Sequence, residues 1–130
     1  MILSQSFSNL RRILQADAVL CVVSGLLLSG GSSLLGPLLN IPNSLLFYSG
    51  LILFPIALFI GVTAQRPNIS RAAVWAIVAV NTLWVLESFA ILLLGWVTPN
   101  AFGTAFVVVQ AIVVALFAGL QYLGLQRRQL

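Results

Sequence analysis

One stretch of the sequence, residues 71–96, limits the fold more than any other. It is apolar over about 25 residues, and as an α-helix it is long enough to cross a hydrocarbon core of roughly 30 Å. Four polar or amphipathic side chains nevertheless fall well inside it: Asn81, Trp84, Glu87 and Ser88. A carboxyl group at such depth is energetically costly, so this face of the helix is expected to meet protein rather than lipid.

The rest of the chain has the composition of a membrane protein. Of its 130 residues, 61% are hydrophobic and 6% are charged, whereas a soluble domain carries about 25% charged residues. Segments rich in glycine, proline and asparagine separate three further apolar runs from residues 71–96. We therefore predict an all-α membrane protein, a four-transmembrane-helix antiparallel bundle that forms a single domain over residues 1–130, with spans at residues 13–35, 44–64, 71–96 and 102–125.

The ends of these spans carry further predictions. The first run is too long for the apolar region of a signal peptide, so we expect a retained membrane helix. Residues 33–39 are expected to form a short interfacial turn. Asn43 or Ser44 is predicted to cap the second span, and Asn68 or Ser70 the third.

The basic residues predict an orientation. All six are arginines, and they fall before the first span, in the loop between the second and third spans, or after the fourth. By the positive-inside rule, both termini and that loop are cytoplasmic. The sequence thus predicts a multi-pass membrane protein in this orientation. Because the arginines follow this membrane pattern, the net charge of +4 does not indicate nucleic-acid binding.

Polar side chains on three of the spans fall on matching faces when the helices are unrolled at about 100° per residue. We predict that they form an intramembrane polar seam made of Asp17, Ser24, Asn81, Trp84, Glu87, Ser88, Gln110 and Gln121. Depth, counted at about 1.5 Å per residue, pairs six of them at three levels: Glu87 with Gln110, Asp17 with Gln121, and Asn81 with Ser24.

Two interpretations of this seam differ in the role of Glu87. In the first, the seam holds the helices together, and a neutral Glu87 donates a hydrogen bond to Gln110. In the second, the seam is a polar track or substrate site, and Glu87 exchanges protons or binds a cation. A third alternative makes this helix face a contact between molecules.

Three single residues carry their own predictions. Asp17 is expected to form an ion pair with a snorkelling Arg11, Arg12 or Arg128. Trp84 is expected to be a packed aromatic whose indole N–H finds a partner. Cys21, the only cysteine, is expected to be a small packing residue.

The residues needed for common chemistries are missing from the sequence. It contains no histidine, a single cysteine, and none of the motifs of hydrolases, metalloproteases or phosphate-binding loops. We therefore expect a protein that is not an enzyme and that has no metal site and no resident cofactor.

Three segments, LRRILQADAV, RAAVWAIVAVNTLWVLES and QYLGLQRR, resemble a family of small four-helix bacterial membrane proteins without a known function. The resemblance spans nearly the whole chain and implies an architecture and a setting in the bacterial inner membrane, but no site. In outline the chain is also similar to the small multidrug resistance transporters, which have an essential glutamate in their first helix. Here that helix has Asp17 near the interface, and the deep acid is Glu87 in the third span, which places a transporter of this type in doubt.

The leading functional hypothesis is a small non-catalytic membrane protein, structural or accessory, that packs with itself or with a larger membrane complex in the lipid bilayer. The alternatives are a proton-coupled carrier of small or lipophilic molecules centred on Glu87, and a protein that binds lipid, quinone or pigment. A cavity that reaches Glu87 favours the carrier, whereas a dry bundle with Glu87 bonded to Gln110 favours the structural role.

Overall fold

A computed structural model describes residues 2–128 of the chain, and the side chains of residues 10–126. Over this range the chain is helical, with no strand, in five helices: α1 (Ile2–Gly30), α2 (Ser32–Leu39), α3 (Asn43–Gln65), α4 (Arg71–Leu93) and α5 (Ala101–Arg128). Within the described residues, four segments are long and apolar enough to cross a membrane: Leu10–Gly30, Asn43–Gln65, Arg71–Leu93 and Ala101–Gln126. This confirms the predicted fold class.

The first and third spans end earlier than the sequence predicted. α1 stops at Gly30, because the carbonyl of Gly31 accepts the backbone N–H groups of Leu34 and Leu35 (3.1 and 2.8 Å) and so begins α2. α4 stops at Leu93 and not at residue 96. Gly95 has a φ of +71°, a left-handed conformation that glycine adopts without steric cost and that ends the helix. The predicted turn at residues 33–39 is helix α2.

The helix starts differ in how they are capped. The Ser70 hydroxyl accepts the N–H of Ala73 at 3.2 Å, so Ser70 caps α4 as predicted. The prediction for α3 was wrong: its N-cap is Pro42, with no capping side chain. A proline cannot cap through its side chain, but its fixed φ suits the entry to a helix.

The helices pack in the order α3, α1, α5 and α4, so that α1 lies between α3 and α5. The crossing of α1 and α3 is close because glycines face each other there. A Cβ added to Gly25 would lie 3.0 Å from the carbonyl oxygen of Gly50. Such small residues let membrane helices approach closely. In contrast, α3 and α4 make few contacts, although the short loop 66–70 joins them.

The outer surface of the spans is mainly apolar, as is expected of a surface that faces lipid. On α4, for example, Leu83 and Leu86 are exposed. The loop 66–70 lies at the same end of the bundle as the start of α1, because the Arg11 guanidinium donates to the carbonyls of Arg66 and Pro67 at 2.9 and 3.3 Å. We call this end of the bundle the arginine end. The other end, formed by α2 and the loop 94–100, is called the opposite end.

Candidate functional site: a cavity inside the bundle

A buried hydrogen-bonded group links three helices in the half of the bundle nearer the arginine end. The Asn81 amide of α4 donates to a carboxylate oxygen, Oδ2, of Asp17 at 2.9 Å and to the Gln121 carbonyl at 3.0 Å. The Gln121 amide donates to the same Asp17 oxygen at 2.7 Å. Asp17, Asn81 and Gln121, which we call the floor cluster, are only 3%, 5% and 0% exposed.

The predicted ion pair of Asp17 with an arginine is therefore wrong for the arginines whose side chains the structure describes. Arg11 lies six residues before Asp17, roughly 120° away around the helix, and donates instead to carbonyls at the end of α3, including that of Ala64. Arg12 is exposed. The side chain of Arg128 lies outside the described residues. Amide donors from α4 and α5 replace the expected cation.

A second group, which we call the wall cluster, joins α4 to α5 nearer the opposite end. The Trp84 indole N–H donates to the Gln110 carbonyl at 2.9 Å, which confirms that it has a partner. The Gln110 amide donates to the Ser88 hydroxyl at 3.0 Å and to the Val107 backbone carbonyl at 2.9 Å. The Gln110 amide has only two N–H groups, so both are in use.

The predicted hydrogen bond between Glu87 and Gln110 is absent from the described residues. Ser88 faces α5, and adjacent residues lie about 100° apart around a helix, so Glu87 points away from α5. Glu87 is exposed. It lines the cavity described next, and among the described side chains it has no hydrogen-bond or ion-pair partner.

The helices line a partly open cavity of about 770 Å³. Its floor is formed by Asp17 and Asn81, and its far end is covered by Leu38 and Leu39 of α2. Aliphatic and aromatic side chains form most of its wall. Sites for small organic ligands have this combination: a volume of about 300–1,000 Å³, an apolar wall and a few polar groups.

The loops at the opposite end hold α2 over the cavity. The Asn40 amide donates to the backbone carbonyl of Thr98 at 2.7 Å, and the Asn100 amide donates to that of Leu38 at 2.8 Å. Asn100 also caps α5, since its side-chain oxygen accepts the N–H of Gly103 at 2.8 Å. The cover is therefore bonded to the start of α5.

The side of the cavity between α3 and α4 is the least closed, because these helices make few contacts. Two α4 residues that line the cavity, Val80 and Glu87, are also exposed. They are seven residues apart, about two helical turns, and so lie on one edge of α4. This edge forms one rim of a lateral opening toward the surrounding lipid.

The cavity gathers every residue of the predicted seam except Gln121, which lies behind Asp17 and Asn81. The predicted pairing by level was correct for Asp17 with Gln121. It was wrong for Asn81, which joins that same pair, and Ser24 has no hydrogen-bond partner among the described residues. Ser49 of α3 also lines the cavity and is not one of the predicted seam residues. A serine inside an otherwise apolar span was the available indication.

Four helices that are long and apolar enough to span a membrane, packed around a mostly apolar cavity, define the described part of the chain as a helical, multi-pass membrane protein. The chain matches no protein-family model, no curated protein and no solved structure.

Proposed function

We propose that the protein binds a lipophilic small molecule in the cavity, within the plane of the membrane. The cavity itself carries this proposal: about 770 Å³ of space reached by an unpaired carboxyl group, Glu87. Its volume, its apolar wall and its few polar groups are those of sites for small organic ligands.

Glu87 supports proton-coupled transport of this lipophilic molecule. Its carboxyl group lies on the rim of the lateral opening and makes no hydrogen bond to a described side chain, so it is available to a ligand or to a proton. Ionisable groups at membrane depth that face a cavity mark ion and proton pathways in many membrane proteins. Substrate-driven proton flux in proteoliposomes should therefore be lost in Glu87→Gln, and flux that survives the substitution would refute this role.

The proposed setting is the bacterial inner membrane, with both termini and the loop 66–70 in the cytoplasm. The support is the placement of the arginines: Arg11, Arg66 and Arg71 lie at one end of the bundle in the described structure, and arginine excess is typical of cytoplasmic ends. A cysteine-accessibility map of loops 66–70 and 94–100 in intact cells tests this orientation.

The structural or accessory role is a second candidate, favoured by the floor cluster. Three hydrogen bonds join α1, α4 and α5 there, as expected for polar groups that hold membrane helices together. This role accounts for Asn81 and Gln121. It gives no reason for the open space beside Glu87.

A matched pair of substitutions on α5 tests ligand binding. Val113 lines the cavity, whereas its neighbour Ile112 is half exposed on the lipid side. Val113→Trp should fill the cavity and Ile112→Trp should leave it open. Native mass spectrometry of protein extracted in a mild detergent should then show a bound small molecule in the wild type and in Ile112→Trp, and its loss in Val113→Trp. Equal occupancy in both variants, or no bound mass in any form, would contradict the proposal.

A further inference from the structure

We infer that the ligand is a lipophilic amine in its ammonium form, with its charged group at the floor cluster and its apolar body directed toward α2. This inference rests on the proposed function, since it names the chemical class of the molecule that the cavity binds. It follows from counting which hydrogen-bonding atoms at the floor are already paired and which are not.

The first unpaired atom belongs to Asn81. Both N–H groups of its amide are used, one toward Asp17 and one toward Gln121. Its carbonyl oxygen accepts no hydrogen bond from the described residues, although Asn81 is only 5% exposed and lines the cavity. Buried carbonyl oxygens are almost always paired, with protein, water or ligand. This oxygen therefore calls for a donor located in the cavity.

The second atom belongs to Asp17. Its Oδ2 accepts both amide donors, whereas its Oδ1 accepts, from the described residues, only the Cys21 thiol, at 3.7 Å. A thiol is a weak donor, so this carboxylate oxygen also lacks a strong partner. The remaining N–H of Gln121 does not serve the cavity, because Gln121 is not part of its lining. The floor thus presents acceptors to a ligand, because both N–H groups of Asn81 are used within the cluster and the remaining N–H of Gln121 lies outside the lining.

The charges around the cavity select among the classes of donor. Two carboxyl side chains, Asp17 and Glu87, line it, and no arginine does among residues 10–126. A buried carboxylate without a cationic partner is energetically costly, and a cationic ligand offsets that cost. An ammonium group supplies both the charge and N–H donors. A quinone offers only acceptors, and a carboxylic acid would add a like charge, so the floor disfavours both.

The shape of the cavity requires an apolar body on the amine. Along α1 the cavity extends from Asp17 to Leu28, a rise of about 16 Å at 1.5 Å per residue. Above the floor the wall is mainly aliphatic and aromatic, with Phe102 and Phe106 of α5 close to the cover. A hydrophilic amine would leave this length unfilled, whereas an amine with a flat or linear hydrocarbon body would occupy it.

Three probes with one hydrocarbon body test the class of ligand: pyrenebutylamine, pyrenebutanol and pyrenebutyric acid. The fraction of the full-length protein that carries one probe, measured by native mass spectrometry against probe concentration, gives each Kd. Hydrogen bonds to charged groups contribute more binding free energy than hydrogen bonds between neutral groups. The amine should therefore bind about tenfold to one-hundredfold tighter than the alcohol, and the acid should bind most weakly.

Two variants then locate the charged group. Asp17→Asn keeps the shape of the side chain and should reduce the amine preference, which is the ratio of the alcohol Kd to the amine Kd, to about one. Glu87→Gln should change it much less, because Glu87 lies on the rim. Preference that survives Asp17→Asn, or that is lost equally in Glu87→Gln, would overturn the placement at the floor.

The same data separate the two proposals. If the three probes bind the wild type equally and Val113→Trp blocks all of them, the cavity binds ligands but the amine inference is wrong. If no probe binding is blocked by Val113→Trp, the proposed function itself is wrong. The comparison of probes on the unmodified chain decides the inference even if Asp17→Asn does not fold.

Discussion

Replacement of Asn81 by leucine tests the floor cluster, because Asn81 is the α4 residue that bonds to both α1 and α5. Asn81→Leu removes two interhelical hydrogen bonds, to Asp17 at 2.9 Å and to Gln121 at 3.0 Å. Such bonds contribute roughly 0.6–2 kcal/mol each in membrane proteins, so the free energy of unfolding should fall by about 1–4 kcal/mol. The loss should lie near the upper end, since the Gln121 carbonyl is left buried without a donor.

The assay is reversible unfolding in bicelles or mixed micelles, with Thr82→Leu as the control. Thr82 is the next residue on α4, at the same depth, and it is exposed. Thr82→Leu should change stability by no more than a few tenths of a kcal/mol. A double-mutant cycle with Gln121→Leu should give a coupling energy of at least about 0.5 kcal/mol, because the two side chains share one network. Additive effects, or equal losses in Asn81→Leu and Thr82→Leu, would refute the description of this cluster.

Two further substitutions test how the helices are held. Arg11→Ala should speed amide hydrogen exchange at the end of α3, where Arg11 donates to the last carbonyls. Arg12→Ala, at an exposed position, should not change this exchange. Equal exchange in the two variants would contradict the role of Arg11 as a cap of α3. Gly50→Ala should lower the melting temperature, because the added Cβ would lie 2.6 Å from the backbone nitrogen of Ser29. Gly119→Ala is the control and should leave the melting temperature unchanged or raise it. No atom lies within 4 Å of a Cβ at position 119, and alanine favours a helix more than glycine does. Equal effects of the two glycine substitutions would exclude a close crossing of α1 and α3.

The number of spans and their approximate positions along the chain could be predicted because lipid imposes the same requirement on every spanning segment. Any segment that crosses the bilayer must be apolar and must satisfy its own backbone, so length and composition identify it. Helix ends depend on single residues. The stop of α4 before Gly95, with its positive φ, and the start of α2 directly after Gly31 could not be located from average hydrophobicity.

Most members of the candidate site could also be predicted, but their partners could not, apart from the pair of Asp17 and Gln121. Helical periodicity places Asn81, Trp84 and Ser88 on one face, and it included Glu87 within the same broad arc. Which part of that arc meets α5 depends on the rotation of α4, which is set by packing that periodicity does not contain. With this rotation, Gln110 forms hydrogen bonds with Trp84 and Ser88, and Glu87 lies beside the lateral opening.

The most direct measurement of whether the cavity is a binding site is photocrosslinking in native membranes. A benzophenone amino acid would replace Val113, which lines the cavity, or Ile112, which faces lipid. After irradiation, mass spectrometry of the purified protein identifies the attached molecule. We expect one small lipophilic species, an amine, attached at position 113, and a mixture of bulk phospholipids at position 112. The same phospholipid mixture at both positions would contradict a dedicated site.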